Sequence, residues 1–328
     1  MQIITNKEEW NKVLEEEFTQ FNDVYFRYEY LELWGKHYGG EPEAIFWEDE
    51  NVKIFWTHLV RDVSRINLNY DFNSELYDLT TPYGYGGPLI VPKTETTKGV
   101  KKSVFLFLEY EKRNQKSEFI RFHTVYKQWK YFQGATFFNP KYINDVVFID
   151  LTQDLSTICK HIKKGHRYNI RKAIERGCKI NFERNPQEPQ ISNFIKLYSQ
   201  TMERNKASYR YYFTTEFIAD HFKLLNALLL EAKMNDIVIA SSIFLLGNTI
   251  IHYHLSGSDY NFRNLYPSDL MLWEAITWAK TNGFELLHLG GGRGKNDSLF
   301  DFKKAFSNTT LPFYIGKNIG GGIDFDKI

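Results

Sequence analysis

One order of secondary-structure elements occurs twice along this chain, and that limits the fold more than any single motif does. In the first half, residues 24–39 (VYFRYEYLELWGKHYG) carry the periodicity of a helix. Residues 43–60 (EAIFWEDENVKIFWTHLV) alternate as strand, acidic turn and strand. A glycine- and aromatic-rich loop at 81–90, a helix at 98–115 and a strand at 118–125 complete the set. The second half repeats it with a helix at 212–229, strand, turn and strand at 229–246, and a strand at 248–257. A junction and helix within 256–283 and a strand at 284–292 follow. The period is far longer than a solenoid repeat, so the pattern reads as duplication of a whole α/β (α+β) domain, a mixed sheet flanked by helices. Simple alternation of helices and strands, common to many α/β proteins, is the competing explanation. The expected division is 1–148 and 149–311, with the tail 312–328 returning to the first domain.

Composition narrows the class. Aromatic residues make up 17% of the 328, with 27 Phe and 21 Tyr, enough to fill a core and still line a groove. The formal charge is +1, so electrostatic steering has to come from local patches. Two cysteines, Cys159 and Cys178, fit neither a metal cluster nor a disulfide framework and point to a reducing compartment. The start lacks the basic and apolar regions of a signal peptide, and no run reaches the ~20 apolar residues of a membrane helix. The expectation is a cytoplasmic protein without integral membrane association.

Residues 154–177 (DLSTICKHIKKGHRYNIRKAIERG) read as helical, with Gly165 a possible interruption. Seven cations and Glu175 give this stretch a net charge of +6 between Lys160 and Arg176. Lys160, Lys164, Arg167 and Arg171 have the spacing of one helix face, which suits a polyphosphate or an RNA backbone; a solvated face is the alternative. In IIHYHLSGSD, alternation puts His252 and His254 on one strand face and Tyr253 on the other. His254 is a candidate general base, against the commoner role of a hydrogen-bonded core histidine. No metal-ligand spacing emerges.

Taken together, PYGYGGPL, KKGHRYNIRKAIERG, TMERN, HYHLSGS and GGGRGKNDSLFDFKKAFS resemble the FemABX family. Its members are peptidoglycan-bridge aminoacyltransferases and relatives built from two tandem GNAT-like domains. The resemblance runs from about residue 22 to about 318 and is strongest in the second half. The long charged insert of the glycyl-adding members is missing, so no coiled-coil arm is expected.

Several roles follow from that resemblance. Phe302 and Lys303 match a Phe-Lys pair beside the acyl donor, where a fixed cation stabilises the carbonyl oxyanion. Lys36 and Arg204 match basic residues that grip the diphosphate of a nucleotide-linked acceptor. Tyr83, Tyr85 and Tyr253 are candidate groove residues. The donor would be aminoacyl-tRNA as co-substrate, with no cofactor; the acceptor would be a nucleotide-linked sugar or muramyl-peptide amine.

Acetyl-CoA-dependent GNAT enzymes turn from their fourth strand into a helix through glycines that cradle a pyrophosphate. Here the corresponding stretch is FRNLYPSDL, with no glycine from Ser258 to Lys280. Pro267 suits a first helical turn, Ser268 or Asp269 can cap it, and Tyr266 would crowd a diphosphate. CoA held in the usual way is disfavoured. Two alternatives remain: an acyl-CoA-dependent N-acyltransferase acting on an amino sugar, and a non-catalytic module binding a sugar nucleotide or RNA.

Overall fold

The computed structural model describes residues 1–62, 77–111, 117–135, 138–292 and 297–319. It divides into two compact units, Met1–Asn144 with Pro312–Ile328, and Asp145–Leu311.

In the first unit, α1 (Lys7–Glu17) and α2 (Tyr28–Tyr38) bury Trp10, Leu14, Tyr30, Leu31 and Trp34. The stretch read as one helix at 24–39 opens instead as a single 3-10 turn, Val24–Phe26, because Asp23 accepts the Val24 amide and restarts the backbone. Strands β1 (Gln2–Ile4), β2 (Gly40–Glu48) and β3 (Val52–Asp62) are antiparallel neighbours. β4 (Tyr77–Thr80) and β5 (Gly87–Pro92) pair with the two halves of β3. The loop expected at 81–90 therefore ends inside a strand. After α3 (Thr97–Glu111), β6 (Ser117–Arg121) lies parallel to β4. The last strand among the described residues, Thr310–Ile319, pairs antiparallel with β6 and so returns to this unit. Rings dominate the core, with Trp56 packed against Phe107 at 5.2 Å and Phe132 at 5.7 Å. The end of the helix read to 115 and the glycines of the tail lie outside the described residues.

The second unit starts within β7 (Lys141–Asp150), four residues before the boundary expected at 148. The helical stretch that follows is two helices, α4 (Leu155–His161) and α5 (Lys164–Glu175). The break falls at Ile162 and Lys163, not at Gly165, which sits in the first turn of α5. Ile162 is fully buried and Lys163 donates its amide to Ala305, so tertiary contacts set the corner. Next come β8 (Lys179–Glu183), α6 (Glu188–Arg204) and α7 (Thr215–Leu224), the last shorter than read because Leu225 is already extended. β9 (Ala227–Met234) and β10 (Ile237–Leu246) form a hairpin whose turn residues, Asn235 and Asp236, both have positive φ (47° and 67°), the geometry that favours Asn and Asp. β11 (Ile250–Ser258), a 3-10 segment (Tyr260–Leu265), α8 (Pro267–Thr281) and β12 (Leu286–Gly290) follow, then α9 (Ser298–Lys304) and β13 (Thr310–Ile319). The sheet order is β7-β12-β11-β10-β9-β8.

In each unit a helix leads into three antiparallel strands, then a helix, then a strand parallel to the third. Two tandem α/β domains result. Among the described residues no helix is long and apolar enough to cross a membrane.

Candidate active site

The centre of the second unit is the place where β11 and β12 stop pairing. They are in parallel register only from Ile250–Leu286 to His252–His288. Just beyond, the register of β11 with β10 jumps from Leu255 to Tyr253, leaving His254 as the extra residue of a β-bulge. Bulges re-aim side chains, and around this one Tyr253 and His254 take different partners.

On one face Tyr253 packs on Phe244 at 5.3 Å and lies with Ser242 and Ser256, whose hydroxyls meet at 2.8 Å. Burial pushes its phenol upward in pKa. Lys303 of α9 comes to this side: its Nζ donates to the Gly291 carbonyl at 2.7 Å and lies 5.8 Å from the Tyr253 ring centre. Only 7% of Lys303 is exposed, and burial brings its pKa down to about 8, against the opposing pull of Asp297. Asp297 in turn caps α9 by accepting the Phe300 amide at 2.9 Å. A cation is thus fixed at the end of β12 by a carbonyl, with Asp297 acting on it electrostatically, an arrangement suited to stabilising developing negative charge. Residues 293–296 of the glycine-rich stretch lie outside the described residues.

On the other face His254 is 9% exposed and its Nε2 is 3.3 Å from Nε2 of His221. His221 donates from Nδ1 to the Phe217 carbonyl at 2.9 Å, so His254 supplies the shared proton between the rings. Burial, then the neighbouring His221 and His252, holds His254 well below the usual histidine range, as a neutral imidazole.

The strand-to-helix junction is occupied by the chain itself. Tyr266 turns the corner at φ 56°, a left-handed conformation that glycine adopts more readily. Neither Ser268 nor Asp269 caps α8, contrary to the sequence expectation; the cap position is Tyr266, and it makes no side-chain cap bond. Asp269 instead reaches across to α5, where Nδ1 of His166 is 2.5 Å from Oδ1 and Nδ2 of Asn169 is 3.3 Å away. Burial raises the Asp269 pKa, and His166 opposes the rise. Further along α5, Arg176 donates to the Asn264 carbonyl at 2.5 Å and sits 5.8 Å from the centre of the Tyr266 ring. The first turn of α8 therefore carries a carboxylate of its own, and a helix is fastened over it.

Phe302 stands beside this fastening, 5.8 Å from the His166 ring and 5.4 Å from Phe306. Lys303 and Phe302 both belong to α9, and Tyr253 lies beside Lys303. Arg204 lies elsewhere, exposed at the end of α6, near the Ser258 carbonyl (3.4 Å) and 5.5 Å from the Tyr260 ring. In the first unit Lys36 is paired with Glu32 at 3.1 Å, and Tyr83 packs on Trp34 at 5.3 Å. Tyr85 is 8% exposed among Tyr25, His123 and Phe313, a core position.

The single-face reading of the basic strip does not survive the α4–α5 corner. Lys160 lies in the last turn of α4 while Lys164 and Arg171 belong to α5. Arg167 turns back and donates to the carbonyls of Ile162 (2.7 Å), Lys160 (3.1 Å) and Cys159 (3.3 Å), closing the end of α4. Arg167→Ala is therefore expected to cost about 1 kcal/mol of stability, seen as a lower Tm. Lys164→Ala, whose side chain is exposed, should leave the Tm unchanged.

Comparison with known proteins places this geometry. Residues 160–304 match the family model described as an acetyltransferase (GNAT) domain. No curated protein sequence matches the chain. Among solved structures, FemX superposes with a TM-score of 0.66 at 13% identity, over 98% of this chain and 96% of that one. L-PGS from Bacillus licheniformis gives 0.58 at 10% identity, over 98% and 94%. The C-terminal domain of a putative lysylphosphatidylglycerol synthetase from Agrobacterium fabrum gives the same TM-score of 0.58 and 10% identity, with the same coverage of 98% and 94%. The chain therefore carries an acyltransferase domain of GNAT type over residues 160–304 and is similar in fold to FemX along its length.

Proposed function

We propose that this protein moves an aminoacyl residue from the ester of an aminoacyl-tRNA to a primary amine on a cell-wall precursor or a related surface-glycan intermediate. The observation that carries this reading is the occupied α8 junction. Coenzyme A needs free amides and room for a diphosphate at a helix start. Here Asp269 supplies a resident negative charge, Tyr266 fills the corner, and α5 is bonded across it through His166, Asn169 and Arg176. A donor already activated as an ester needs no such clasp. Its chemistry is positioning plus oxyanion stabilisation: the amine adds to the carbonyl, Lys303 offsets the charge on oxygen, and the ribose hydroxyl leaves. The cations of α4 and α5 suit the polyanionic carrier of that ester.

The test offers the protein mixed charged tRNAs or acetyl-CoA, each with a nucleotide-linked muramyl-pentapeptide. A parallel arm uses phosphatidylglycerol as acceptor, because one of the structural neighbours is named as a domain of a putative lysylphosphatidylglycerol synthetase. Mass spectrometry should show an amino-acid residue added to the muramyl-peptide from tRNA and no acetyl group from CoA. An acetyl increment alone would overturn the reading, and addition to the lipid alone would overturn the acceptor.

A further inference from the structure

His166 sits in the first turn of α5 with its Nδ1 on the buried Asp269 carboxylate at 2.5 Å. Asp269 is 10% exposed at its side chain and His166 25%, so the carboxylate end of the pair is enclosed and the imidazole reaches solvent. With Asp269 ionised, Nδ1–H is the donor, and the lone pair is placed on Nε2. A ring held this way by a carboxylate is oriented to take a proton at its outer nitrogen. Phe302 and Phe306 line the same ring at 5.8 and 5.4 Å, and Phe302 adjoins Lys303 in the chain. His254 offers no such end: it is enclosed and committed to His221.

We infer that Asp269 and His166 form the acid–base pair of the acyl transfer, His166 as the proton carrier and Asp269 as its positioning residue. The inference rests on the aminoacyl-transfer reading for its substrates. In the step, the acceptor nitrogen bonds to the ester carbonyl carbon and gives one proton to Nε2 of His166. The ester C–O bond then breaks and the imidazolium returns that proton to the departing ribose oxygen, leaving an amide and an alcohol. No oxidant, metal or covalent enzyme intermediate is required.

α8 presents Asp269, α9 presents the uncharged rings of Phe302 and Phe306, and α5 itself carries Lys164 and Arg167 beside it, the latter turned toward α4. Transfer by the full-length protein should fall about 100-fold in kcat in both His166→Ala and His166→Gln, with KM nearly unchanged. Added imidazole should recover part of the loss in His166→Ala. Asp269→Asn should lower kcat less and shift the acidic limb of the pH–kcat profile. His166→Gln keeps an amide donor for Asp269 and remains informative where the alanine variant does not fold.

A folded His166 variant that keeps more than half of the kcat, or a loss that imidazole does not relieve, would overturn the inference. Should the wild-type protein transfer nothing from tRNA, the aminoacyl reading fails and the pair is read directly by nitrogen NMR. A proton on Nδ1, with a titration of Nε2 that moves in Asp269→Asn, supports the pair; a proton fixed on Nε2 overturns it.

Discussion

Lys303→Met is expected to lower kcat by about 10²–10³-fold while leaving the protein as stable as the wild type at pH 7, or more so. The two effects share one cause. The ammonium is buried and held by the uncharged Gly291 carbonyl, with Asp297 only partly offsetting its desolvation. Burial brings its pKa down from 10.5 to about 8 in the folded state. Below about pH 8 both folded and unfolded chains carry the proton, and the folded one carries it at a desolvation cost. Between about pH 8 and 10.5 the unfolded chain holds the extra proton, so wild-type stability rises with pH across that window. Methionine removes both the cost and the rise. Activity runs the other way, because oxyanion stabilisation needs the charged form and fades as pH passes about 8. Paired measurements of kcat and Tm from about pH 6 to about pH 10 check both signs. A methionine variant that is inactive and clearly less stable at pH 7 would make Lys303 a structural residue instead.

That separation between charge and fold also marks what the sequence could disclose. Elements with strong local signals were legible. The Lys-Met-Asn-Asp hairpin and the strand of His252 and His254 both depend on spacing within a few residues. The α4–α5 corner was misplaced because Gly165 is the local breaker, whereas the bend is made by the burial of Ile162 and a bond from Lys163 to Ala305. Asp269 read as a helix cap because its position allows one. Its actual partner, His166, is 103 residues away, and Arg176 meets Asn264 across 88. No periodicity or composition spans such distances. The missing glycine was the visible half of this feature; the helix that takes the vacated space was the hidden half.

Gly257→Ala is expected to cost about 3 kcal/mol or more and to displace Arg204, the proposed acceptor contact, with it. A Cβ built on Gly257 falls 2.5 Å from the Leu197 carbonyl carbon and 2.5 Å from the Tyr198 Cα. Those atoms are backbone of α6, so no rotamer change relieves the clash and the helix must lift off β11. The same contact is pinned by Thr201, whose Oγ1 accepts the Ser258 amide at 3.0 Å, one turn before Arg204. Lifting α6 therefore moves Arg204 away from Ser258 and Tyr260, and KM for the acceptor should rise in whatever fraction remains folded. Gly165→Ala supplies the opposite case. It lies in α5 with nothing within 4 Å of an added Cβ, so the substitution should stabilise by about 0.5–1 kcal/mol. Denaturant unfolding of the two variants should shift the midpoint in opposite directions. A Gly257→Ala protein as stable as wild type would mean that α6 and β11 do not pack as closely as the fold requires, and the placement of Arg204 would fall with it.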